Sequence, residues 1–576
     1  MCGIVGITAN DEPFVSEYLK IIKHRGPDGQ GVWSDGRVTL GHNLLAITDK
    51  PHLSKQPYIT PKENILIYNG EIFNYYELLK KYSNFIPKTD CDTELLAWGL
   101  DNVGMAFLDE IDSMHSLAYY DKEYKKLYLS IDHAGIKPLY YAQIKQGLVF
   151  GSEVKGLIDK VPNSNKIDPM AMSCFSLSGL NVTSHSFFSG IKKVMSGETL
   201  CYDFHHNTLK QIKRILPQAT SDHKFDPIEF RHMMNKTVKM CSIGKREIGV
   251  FLSGGLDSSA IAYELNKIKG SARTFTNMIH PMPKITHEDF NSDHDCALEL
   301  ALRDKFNHEV IKITPDIYVN NWDNAVYYME EPVYNLSLPM YNYTNKFLSE
   351  KGIVVTMAGD LGDEILGGYP KYYKLGKQFG NAKQDWRQIV KQWMFRLSAP
   401  LKLPKMQYSY DDVVDELIKT TFPESLQVET DNVASYMMLD IVGQCPEEFF
   451  RRNDRYGMQY SMEGRFPLAT KMFINYAMSI HTKDKIGATE ADTKLLPKIA
   501  YKGLLTDNII NKKKTGWTAP IREWQQQNLD NNTFETMYEN NLKSTEHKIE
   551  GLRRQNKGKT PALACNDWAR QYQMSL

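Results

Sequence analysis

The first residue that could do chemistry stands at the amino terminus, where Met1 is followed by Cys2 and Gly3. A small residue at the second position commonly permits removal of the initiator methionine. A terminal cysteine carries a thiol and a free α-amine, whose ordinary pKa is about 7.7–8.0. Because that amine can take the thiol proton, Cys2 could act as a nucleophile. Taken alone, Cys2 is more simply a buried cysteine that begins a strand.

Three later segments supply groups that such a nucleophile needs. Residues 24–29 form a polar, turn-rich loop, and Asn69-Gly70 follows a predicted strand. Asn69 can donate an amide N–H and Gly70 a backbone N–H, which together could form an oxyanion hole. By itself this pair is typical of a hairpin turn. Asp92 supplies a carboxylate at a predicted helix start, where a plain N-cap is the alternative.

A second reactive segment, Ser-Gly-Gly-Leu-Asp-Ser-Ser at 253–259, follows a predicted strand over 248–252 and leads into a predicted helix. Its two glycines let the backbone turn closely around an anion. The serine hydroxyls and the N–H groups of the new helix would face that anion. The GxxxxGK[ST] pattern of a Walker P-loop is absent. A Gly-Ser turn with Asp257 as helix N-cap is the competing interpretation.

A third segment carries three acids within five positions, Asp360, Asp363 and Glu364, directly after a predicted strand over 353–357. Ligands of α/β sheets bind at the carboxyl ends of strands. An acidic helix start would explain Asp363 and Glu364 by their favourable interaction with the helix dipole. That explanation does not account for the presence of residues 253–259 in the same chain.

The composition excludes several classes of function. The 576 residues include 69 Lys+Arg and 69 Asp+Glu, and this balance argues against a nucleic-acid binder that depends on bulk positive charge. No apolar run approaches the roughly 18 residues of a membrane span. Eight cysteines without a CxxC pair predict neither a zinc ribbon nor a disulfide framework. We therefore expect a protein of the reducing cytoplasm.

These residues must be positioned by two different kinds of domain. Short predicted strands in the first 200 residues, with helices at 15–23 and 93–102, indicate stacked antiparallel sheets. They are the strands 3–8, 38–40, 65–68, 116–120, 126–130 and 148–150. Strand–helix alternation after residue 247 favours a parallel sheet, followed by a mostly helical stretch over 376–480 and a polar, helix-permissive last fifty residues. We predict domains at 2–205 and 228–576, joined by a linker at 206–227.

The N-terminal residues resemble the class II glutamine amidotransferase domain over about residues 2–200, including Asp132-His133 and 151–155. The resemblance implies an N-terminal-nucleophile αββα sandwich in which Cys2 attacks glutamine and Asn69 and Gly70 hold the oxyanion. The glutamine-binding residues that it implies are Leu44, Leu45, Ala46, Ile47, Thr48, Asn69, Gly70, Glu71 and Asp92. Asp92 would pair with the substrate α-ammonium.

Leu44 departs from this family. The family has an Arg there that grips the glutamine α-carboxylate, and a leucine cannot make that bidentate pair. Ile131 is a second departure, because the family usually has Arg before Asp132. Another cation, such as Arg25 or a nearby lysine, could replace the missing one, or glutamine could bind weakly.

Residues 253–259 resemble the PP-loop of ATP pyrophosphatases, and the order of motifs through Glu463-Gly464-Arg465 to 511–520 resembles the asparagine synthetase family. This implies an α/β PP-loop domain, similar to adenine nucleotide alpha hydrolases, with added helices. ATP and Mg²⁺ are the implied cofactors, with Asp257 and Asp363 on the metal and Asp360 and Lys494 catalytic. The implied ATP-binding residues are Phe251, Ser253, Gly254, Gly255, Asp257, Ser258, Asn277, Ala358 and Gly359.

The acceptor of the amide nitrogen is less constrained. By resemblance, the default is L-aspartate, converted to L-asparagine with AMP and pyrophosphate. Three features weaken aspartate specificity: Asp360 stands where asparagine synthetases tend to have Glu, Asn335 stands where some have Arg, and the segment 279–295 is long.

Three alternatives remain open. The acceptor could be a sugar acid, a peptide or a small metabolite. The chain could instead be an ammonia-dependent ligase with an impaired glutaminase domain, or a metabolite-sensing protein. The expected partners are the small molecules glutamine, ATP and a carboxylate, with neither nucleic acid nor membrane; a homodimer is compatible with this reading.

Overall fold

The computed structural model describes residues 2–284, 289–332, 335, 337–380, 383–395, 407–514, 520, 523, 567–569, 571, 572 and 574. The strands are β1 (Gly3–Ile7), β2 (Gly29–Ser34), β3 (Thr39–Leu44), β4 (Tyr58–Ile59), β5 (Ile65–Ile72), β6 (Ser113–Asp121), β7 (Lys126–Ile131), β8 (Tyr140–Ile144), β9 (Gly147–Gly151), β10 (Lys192–Lys193), β11 (Glu198–Asp203), β12 (Thr208–Arg214), β13 (Ile248–Phe251), β14 (Arg273–Ile279), β15 (Asn307–Ile313), β16 (Val355–Met357) and β17 (Glu463–Arg465).

The helices are α1 (Glu12–Ile21), α2 (Tyr75–Lys81), α3 (Asp92–Asn102), α4 (Phe107–Glu110), α5 (Pro169–Ser178), α6 (Pro227–Cys241), α7 (Leu256–Lys269), α8 (Ser292–Asp304), α9 (Pro315–Asn320), α10 (Trp322–Met329), α11 (Leu338–Glu350), α12 (Gly362–Leu366), α13 (Pro370–Phe379), α14 (Trp386–Met394), α15 (Tyr410–Thr420), α16 (Asn432–Leu439), α17 (Arg451–Gln459), α18 (Lys471–Ser479), α19 (Thr482–Lys485), α20 (Leu495–Ala500) and α21 (Asp507–Ile510). A π-helical stretch, Asp440–Phe450, joins α16 to α17. No helix of the described residues is long and apolar enough to cross a membrane.

Two six-stranded antiparallel sheets form the N-terminal domain, in the orders β10-β8-β9-β1-β3-β2 and β12-β11-β7-β6-β5-β4. Their facing sides share one apolar cluster, to which Ile4 and Leu40 contribute from the first sheet and Ile67 and Leu129 from the second. Such burial of one face of each sheet is the main stabilising contribution to a two-sheet layer.

Helices cover the outer faces of both sheets. Val15 of α1 packs in one cluster with Val5 of the first sheet. Leu95 and Leu96 of α3 pack against Leu66 of the second. The predicted antiparallel sheets with helices are therefore present. The helix predicted at 15–23 corresponds to α1, which begins earlier, at Glu12.

The pair Asn69-Gly70 differs from its predicted role as a turn that ends a strand. Both residues lie inside β5, where Asn69 pairs with Ser116 and Gly70 with His115 of β6. The glycine is needed because a Cβ at residue 70 would lie 2.3 Å from the carbonyl oxygen of Met114. Close packing, not a turn, explains this glycine.

The linker is shorter than predicted at its start. Residues 206–227 were expected to be linker, but β12 pairs with β11 from Asp203↔Thr208 to Glu198↔Arg214. The extended connection to α6 is therefore 215–226. The polar sequence of β12 suits an edge strand, because charged side chains there discourage pairing with another chain.

A parallel sheet in the order β15-β14-β13-β16-β17 organises the C-terminal domain. Strands β13 and β16 are neighbours, so the loops after them, at 253–255 and 358–361, meet at one edge of the sheet. The predicted helical stretch over 376–480 is seen in α14 to α18 with the π-helical segment. The prediction for the last fifty residues falls mostly outside the described residues.

Lys485 gives a testable stability effect. It is fully buried at the end of α19, and burial lowers the pKa of its ammonium from 10.5 to about 7. The unfolded chain therefore binds more protons between about pH 7 and 10.5, and this site makes stability rise with pH through that window. We expect Lys485→Met to raise the free energy of unfolding at pH 7 by about 2–4 kcal/mol and to flatten the rise. Denaturant unfolding at pH 7 and pH 9 measures both effects.

The control for this substitution is Lys483→Met, which removes an exposed lysine from the same helix. It should leave the pH dependence unchanged. A Lys485→Met protein that is less stable at pH 7 would show that the ammonium contributes net stability.

Candidate functional site

The amino-terminal site is built around the thiol of Cys2, which is only 7% exposed. The backbone N–H of Cys2 donates to Asn69 Oδ1 at 2.8 Å, and Asn69 Nδ2 donates to Ser116 Oγ at 3.2 Å. These two bonds fix the Asn69 amide against the backbone of Cys2. Burial raises the pKa of the Cys2 thiol, with a hydrogen bond to the Leu45 backbone opposing the rise. The thiol therefore needs a base before it can attack.

Two carboxylates predicted to bind glutamine lie in this site. Asp92 Oδ2 accepts from Tyr68 Oη at 3.0 Å and from the Ile72 N–H at 2.9 Å. Burial raises the pKa of Asp92 to about 6, with the Ile72 bond opposing it. Glu71 Oε2 pairs with Arg465 Nη2 of the C-terminal domain at 3.0 Å. Strand β17 of the C-terminal parallel sheet thus reaches the site around Cys2.

The predicted glutamine-binding run 44–48 divides into two groups. Leu44 and Ala46 pack with Cys2 in a small apolar cluster. Leu45 and Ile47 instead pack in a cluster with Val355 of the C-terminal domain. The side chains of these two residues therefore contribute to the apolar contact between the two domains. Thr48 is half-buried.

Arg25 does not replace the missing family arginine. Its guanidinium is fully buried and donates to Asp454 through Nη1 at 2.8 Å and Nη2 at 3.0 Å. Nη1 also donates to Glu153 at 2.9 Å, and Nε donates to the carbonyl oxygen of Cys2 at 3.1 Å. Each of the three guanidinium nitrogens of Arg25 already donates a hydrogen bond within the protein. The suggestion that Arg25 holds the glutamine α-carboxylate was therefore wrong.

We expect Leu44→Arg to lower the KM for glutamine about ten- to a hundredfold. The new guanidinium would lie beside Cys2 and could pair with the substrate α-carboxylate, a charge-assisted bond worth about 1.5–3 kcal/mol. Ammonia-dependent synthesis should not change, because the two reactions use different domains. Steady-state glutaminase kinetics give the result.

Leu53→Arg is the matched control. Leu53 is 43% exposed and lies outside the cluster around Cys2, so the substitution adds the same charge without placing it beside the thiol. A parent enzyme with a micromolar KM that Leu44→Arg makes worse would show that another group already holds the carboxylate.

The second site is a cavity of about 920 Å³ at the carboxyl edge of the parallel sheet. Predicted site residues on its wall are Phe251, Ser253, Gly255, Asp257, Ser258, Asn277, Ala358, Gly359, Asp360, Asp363 and Lys494. Gly254 is the exception: it packs against Asp293 and does not border the cavity. The structure thus brings together residues that are up to 243 positions apart, from Phe251 to Lys494.

The two loops that meet here are held by hydrogen bonds and close packing. Ser258 Oγ accepts from the Ser253 N–H at 3.1 Å, and the two hydroxyl oxygens lie 3.0 Å apart. A Cβ at Gly362 would lie 2.5 Å from Cγ of Asp257. The glycine therefore allows the acidic loop to touch the serine loop, which aligns Asp257 with Asp363.

A cluster of opposite charges lies between these loops. Lys494 Nζ contacts Asp363 Oδ1 at 2.7 Å and also pairs with Asp257, and Lys514 Nζ contacts Asp363 Oδ2 at 2.6 Å. Burial opposes ionisation, but the two lysines hold the pKa of Asp363 at about 2. Burial raises the pKa of Asp257 in spite of Lys494. The segment 515–519, which follows Lys514, lies outside the described residues.

These residues fit a magnesium ion that also binds phosphates. Asp257 Oδ1 is buried without a hydrogen-bond partner in the part of the chain that the structure describes. No group of three or more metal-ligating side chains occurs within the described ranges. Mg²⁺ is commonly held by one or two carboxylates together with substrate phosphates, so a two-aspartate site suits it.

Asp360 is held by two residues that the sequence did not single out. Arg452 Nη2 contacts Asp360 Oδ1 at 3.2 Å, and Asn453 Nδ2 donates to Asp360 Oδ2 at 3.3 Å. The Arg452 guanidinium lies 3.8 Å from the ring centroid of Tyr341. In the sequence, Arg452 is marked only as one of two adjacent arginines, Arg451-Arg452, in a stretch predicted to be helical. Such a pair is usually explained as charges on a solvated helix face.

Helix α17 joins the two sites. Its Arg452 and Asn453 contact Asp360, while the next residue, Asp454, holds Arg25 and through it the carbonyl of Cys2. A helix packed in both domains in this way links the position of the thiol to the position of the acidic loop.

Comparison with known proteins identifies the families that the two domains match. The family described as asparagine synthase matches residues 229–570, and the glutamine amidotransferase domain matches residues 1–213. The chain belongs to the asparagine synthase family. Members of this family use ATP, and the chain is an enzyme of the ligase and amidotransferase class.

Individual relatives align with most of this chain. "Asparagine synthetase [glutamine-hydrolyzing] 1" of Bacillus subtilis is 26% identical over 91% of this chain and 88% of its own length. "Asparagine synthetase B [glutamine-hydrolyzing]" of Escherichia coli is 26% identical over 68% of each chain. The solved glutamine phosphoribosylpyrophosphate amidotransferase of B. subtilis overlaps 47% of this chain and 65% of its own, at 18% identity and a TM-score of 0.28, which is too low for a fold comparison.

Proposed function

We propose that this family member hydrolyses glutamine at Cys2 and uses the ammonia to amidate a carboxylate that it has activated with ATP. The supporting observation is the meeting of the serine and acidic loops around Lys494, in a chain whose other domain places Cys2 against Asn69. We assign the N-terminal-nucleophile fold to the domain ending near Arg214 and the PP-loop fold to the domain beginning near Pro227.

In the glutaminase half, the Cys2 thiolate attacks the side-chain amide carbon of glutamine. Because burial raises the pKa of the Cys2 thiol, the thiol keeps its proton unless a base removes it. Once Met1 is removed, the α-amine of Cys2 is that base. Asn69 and the Gly70 N–H stabilise the oxyanion, and Asp92 pairs with the substrate ammonium. The protonated α-amine of Cys2 then returns its proton to the amide nitrogen, the carbon–nitrogen bond breaks, and ammonia leaves. Water then hydrolyses the thioester to glutamate.

In the synthetase half, an oxygen of the acceptor carboxylate attacks the α-phosphorus of ATP and the bond to the β-phosphate breaks. Lys494, which lies between Asp257 and Asp363, neutralises charge that develops on the phosphates. When bound, Mg²⁺ would be held by Asp257 and Asp363 and would supply further positive charge against the departing pyrophosphate. Ammonia then attacks the acyl carbon, a proton is lost and AMP leaves.

The experiment is mass spectrometry of products with ATP, Mg²⁺, either glutamine or an ammonium salt, and a panel of carboxylates that begins with L-aspartate. We expect AMP, pyrophosphate and one amide, with asparagine as the reference product. Synthesis from ammonium salts alone would support a ligase with an impaired glutaminase domain, which Leu44 favours. Absence of pyrophosphate with every carboxylate would instead indicate a metabolite-binding protein.

A further inference from the structure

The lysine run Lys512-Lys513-Lys514 borders the cavity proposed to bind ATP, although a run of like charges is usually a solvated surface. The side chain of Lys512 is only 13% exposed and that of Lys514 is 36% exposed. Both pair with acids of other elements, Lys512 with Asp293 and Lys514 with Asp363. The run is therefore part of the wall of the proposed ATP site.

Lys512 holds the run beside the serine loop. Its Nζ contacts Asp293 Oδ1 at 2.5 Å, in the first turn of helix α8. The carbonyl oxygen of Asp293 packs against Gly254, where a Cβ would lie 2.0 Å from it. Because this contact fixes the chain two residues before Lys514, the side chain of Lys514 can change its partner while the run stays in place.

Asp363 has a lysine against each of its carboxylate oxygens. Lys494 Nζ lies 2.7 Å from Oδ1, and Lys514 Nζ donates to Oδ2 at 2.6 Å. A metal ion bound to Oδ2 would lie close to the Lys514 ammonium, and two positive charges at such a separation repel each other strongly. Lys514 and a divalent metal ion therefore compete for the same carboxylate oxygen.

Lys514 is the lysine that can yield. Lys494 pairs with Asp257 as well as with Asp363, and its side chain is only 10% exposed. Lys514 has Asp363 as its one acidic partner among the described residues, and its side chain is more exposed. A lysine ammonium on its flexible four-carbon stem is also a common ligand of phosphate. The phosphates of a metal–nucleotide complex at Asp363 would supply the anion that Lys514 loses.

We propose, resting on the function proposed above, that Lys514 exchanges partners when ATP binds. In the absence of nucleotide its ammonium pairs with Asp363 and disfavours the binding of a metal ion alone. When ATP binds together with Mg²⁺, Lys514 yields Asp363 to the metal and pairs with a phosphate oxygen. Lys514 is thus a nucleotide-binding residue that also keeps the acidic loop from holding a metal ion without ATP.

The exchange predicts effects of opposite sign for Lys514→Gln, because this change frees Asp363 for a metal ion but removes a phosphate ligand. We expect the Kd of Mn²⁺ without nucleotide, measured by electron paramagnetic resonance, to fall about tenfold or more. We expect the Kd of α,β-methylene-ATP with Mg²⁺, measured by calorimetry, to rise about tenfold or more. This analogue binds without turnover, because a methylene replaces the oxygen between its α and β phosphates.

Further variants isolate the contact with Asp363. Lys514→Arg keeps the charge and should bring both dissociation constants back toward those of the parent. Lys513→Gln removes the same charge from a neighbour that forms no ion pair in the part of the chain that the structure describes, so the Kd of Mn²⁺ should change much less. In an Asp363→Asn background, Lys514→Gln should no longer tighten Mn²⁺ binding.

Thermal unfolding shows whether each variant is folded, and Lys514→Met, which keeps the apolar stem, repeats the test if Lys514→Gln does not fold. A loss of affinity for both ligands would show that Lys514 only supports the local structure, and unchanged affinities would show that it is a solvated charge. Either result would overturn this inference and leave the amidotransferase proposal standing. A folded parent protein that does not bind α,β-methylene-ATP with Mg²⁺ would overturn the proposed function and this inference with it.

Discussion

Asp257→Asn is expected to abolish pyrophosphate formation and to leave glutamine hydrolysis intact. Asparagine keeps the shape of the side chain in the first turn of α7 but removes its charge. Lys494 then loses one of its two carboxylate partners. The proposed magnesium site also loses the anionic Asp257 Oδ1, which has no hydrogen-bond partner among the described residues. We expect pyrophosphate release to fall about a hundredfold or more.

Two assays on one preparation measure this effect, pyrophosphate release with ammonium salts and glutamate release from glutamine. Asp316→Asn is the matched control, because Asp316 is an exposed acid in the first turn of α9. Near-normal pyrophosphate release by Asp257→Asn would remove Asp257 from the ATP chemistry. Loss of both activities would indicate a folding defect and would require unfolding measurements.

Cys2→Ala is expected to eliminate amide synthesis from glutamine and to preserve synthesis from ammonium chloride. The thiol is needed only to release ammonia, and the substituted side chain lies in the other domain from the ATP cavity. Alanine keeps the backbone N–H that donates to Asn69, so the local structure should persist. Glutamine-dependent synthesis should fall below detection, because no other group replaces a covalent nucleophile.

The amide product is quantified with each nitrogen source at saturating ATP and acceptor. Cys91→Ala serves as control, since Cys91 is a buried cysteine of the same domain that donates to Thr93. Equal loss with both nitrogen sources in a folded Cys2→Ala protein would contradict a two-site mechanism.

Local sequence predicted the loops of both sites. Residues 253–259 form the strand-to-helix turn that their glycines and serines indicated, and Asp360 and Asp363 follow β16 as the acidic pattern indicated. Such loops are predictable because turn residues and the anion-binding N–H groups act within a few residues of one another. The same short-range preference predicted a turn at Asn69-Gly70. In the structure the pair lies inside β5, because its pairing with β6 outweighs that preference.

The roles of the buried cations could not be predicted in this way. The sequence shows that Arg25 is near Cys2 in the chain, but its partner Asp454 is 429 residues away. The sequence did not single out Arg452, whose contact with Asp360 depends on how α17 packs against the acidic loop. Whether a charge is solvated, paired or left for a ligand depends on every element that surrounds it, and local pattern carries no such information.

By itself, the sequence determined the order of the two domains and the leucine at position 44, and it predicted the nucleophile Cys2 and the loop residues that could face ATP. These depend on residue type and on spacing within one element. The tertiary structure alone decided that Arg25 is committed to Asp454, that Leu45 and Ile47 contribute to the contact between the domains, and that Lys514 reaches Asp363. The physical reason is that burial and pairing arise between segments far apart in the chain, whose contacts are set by how sheets and helices pack.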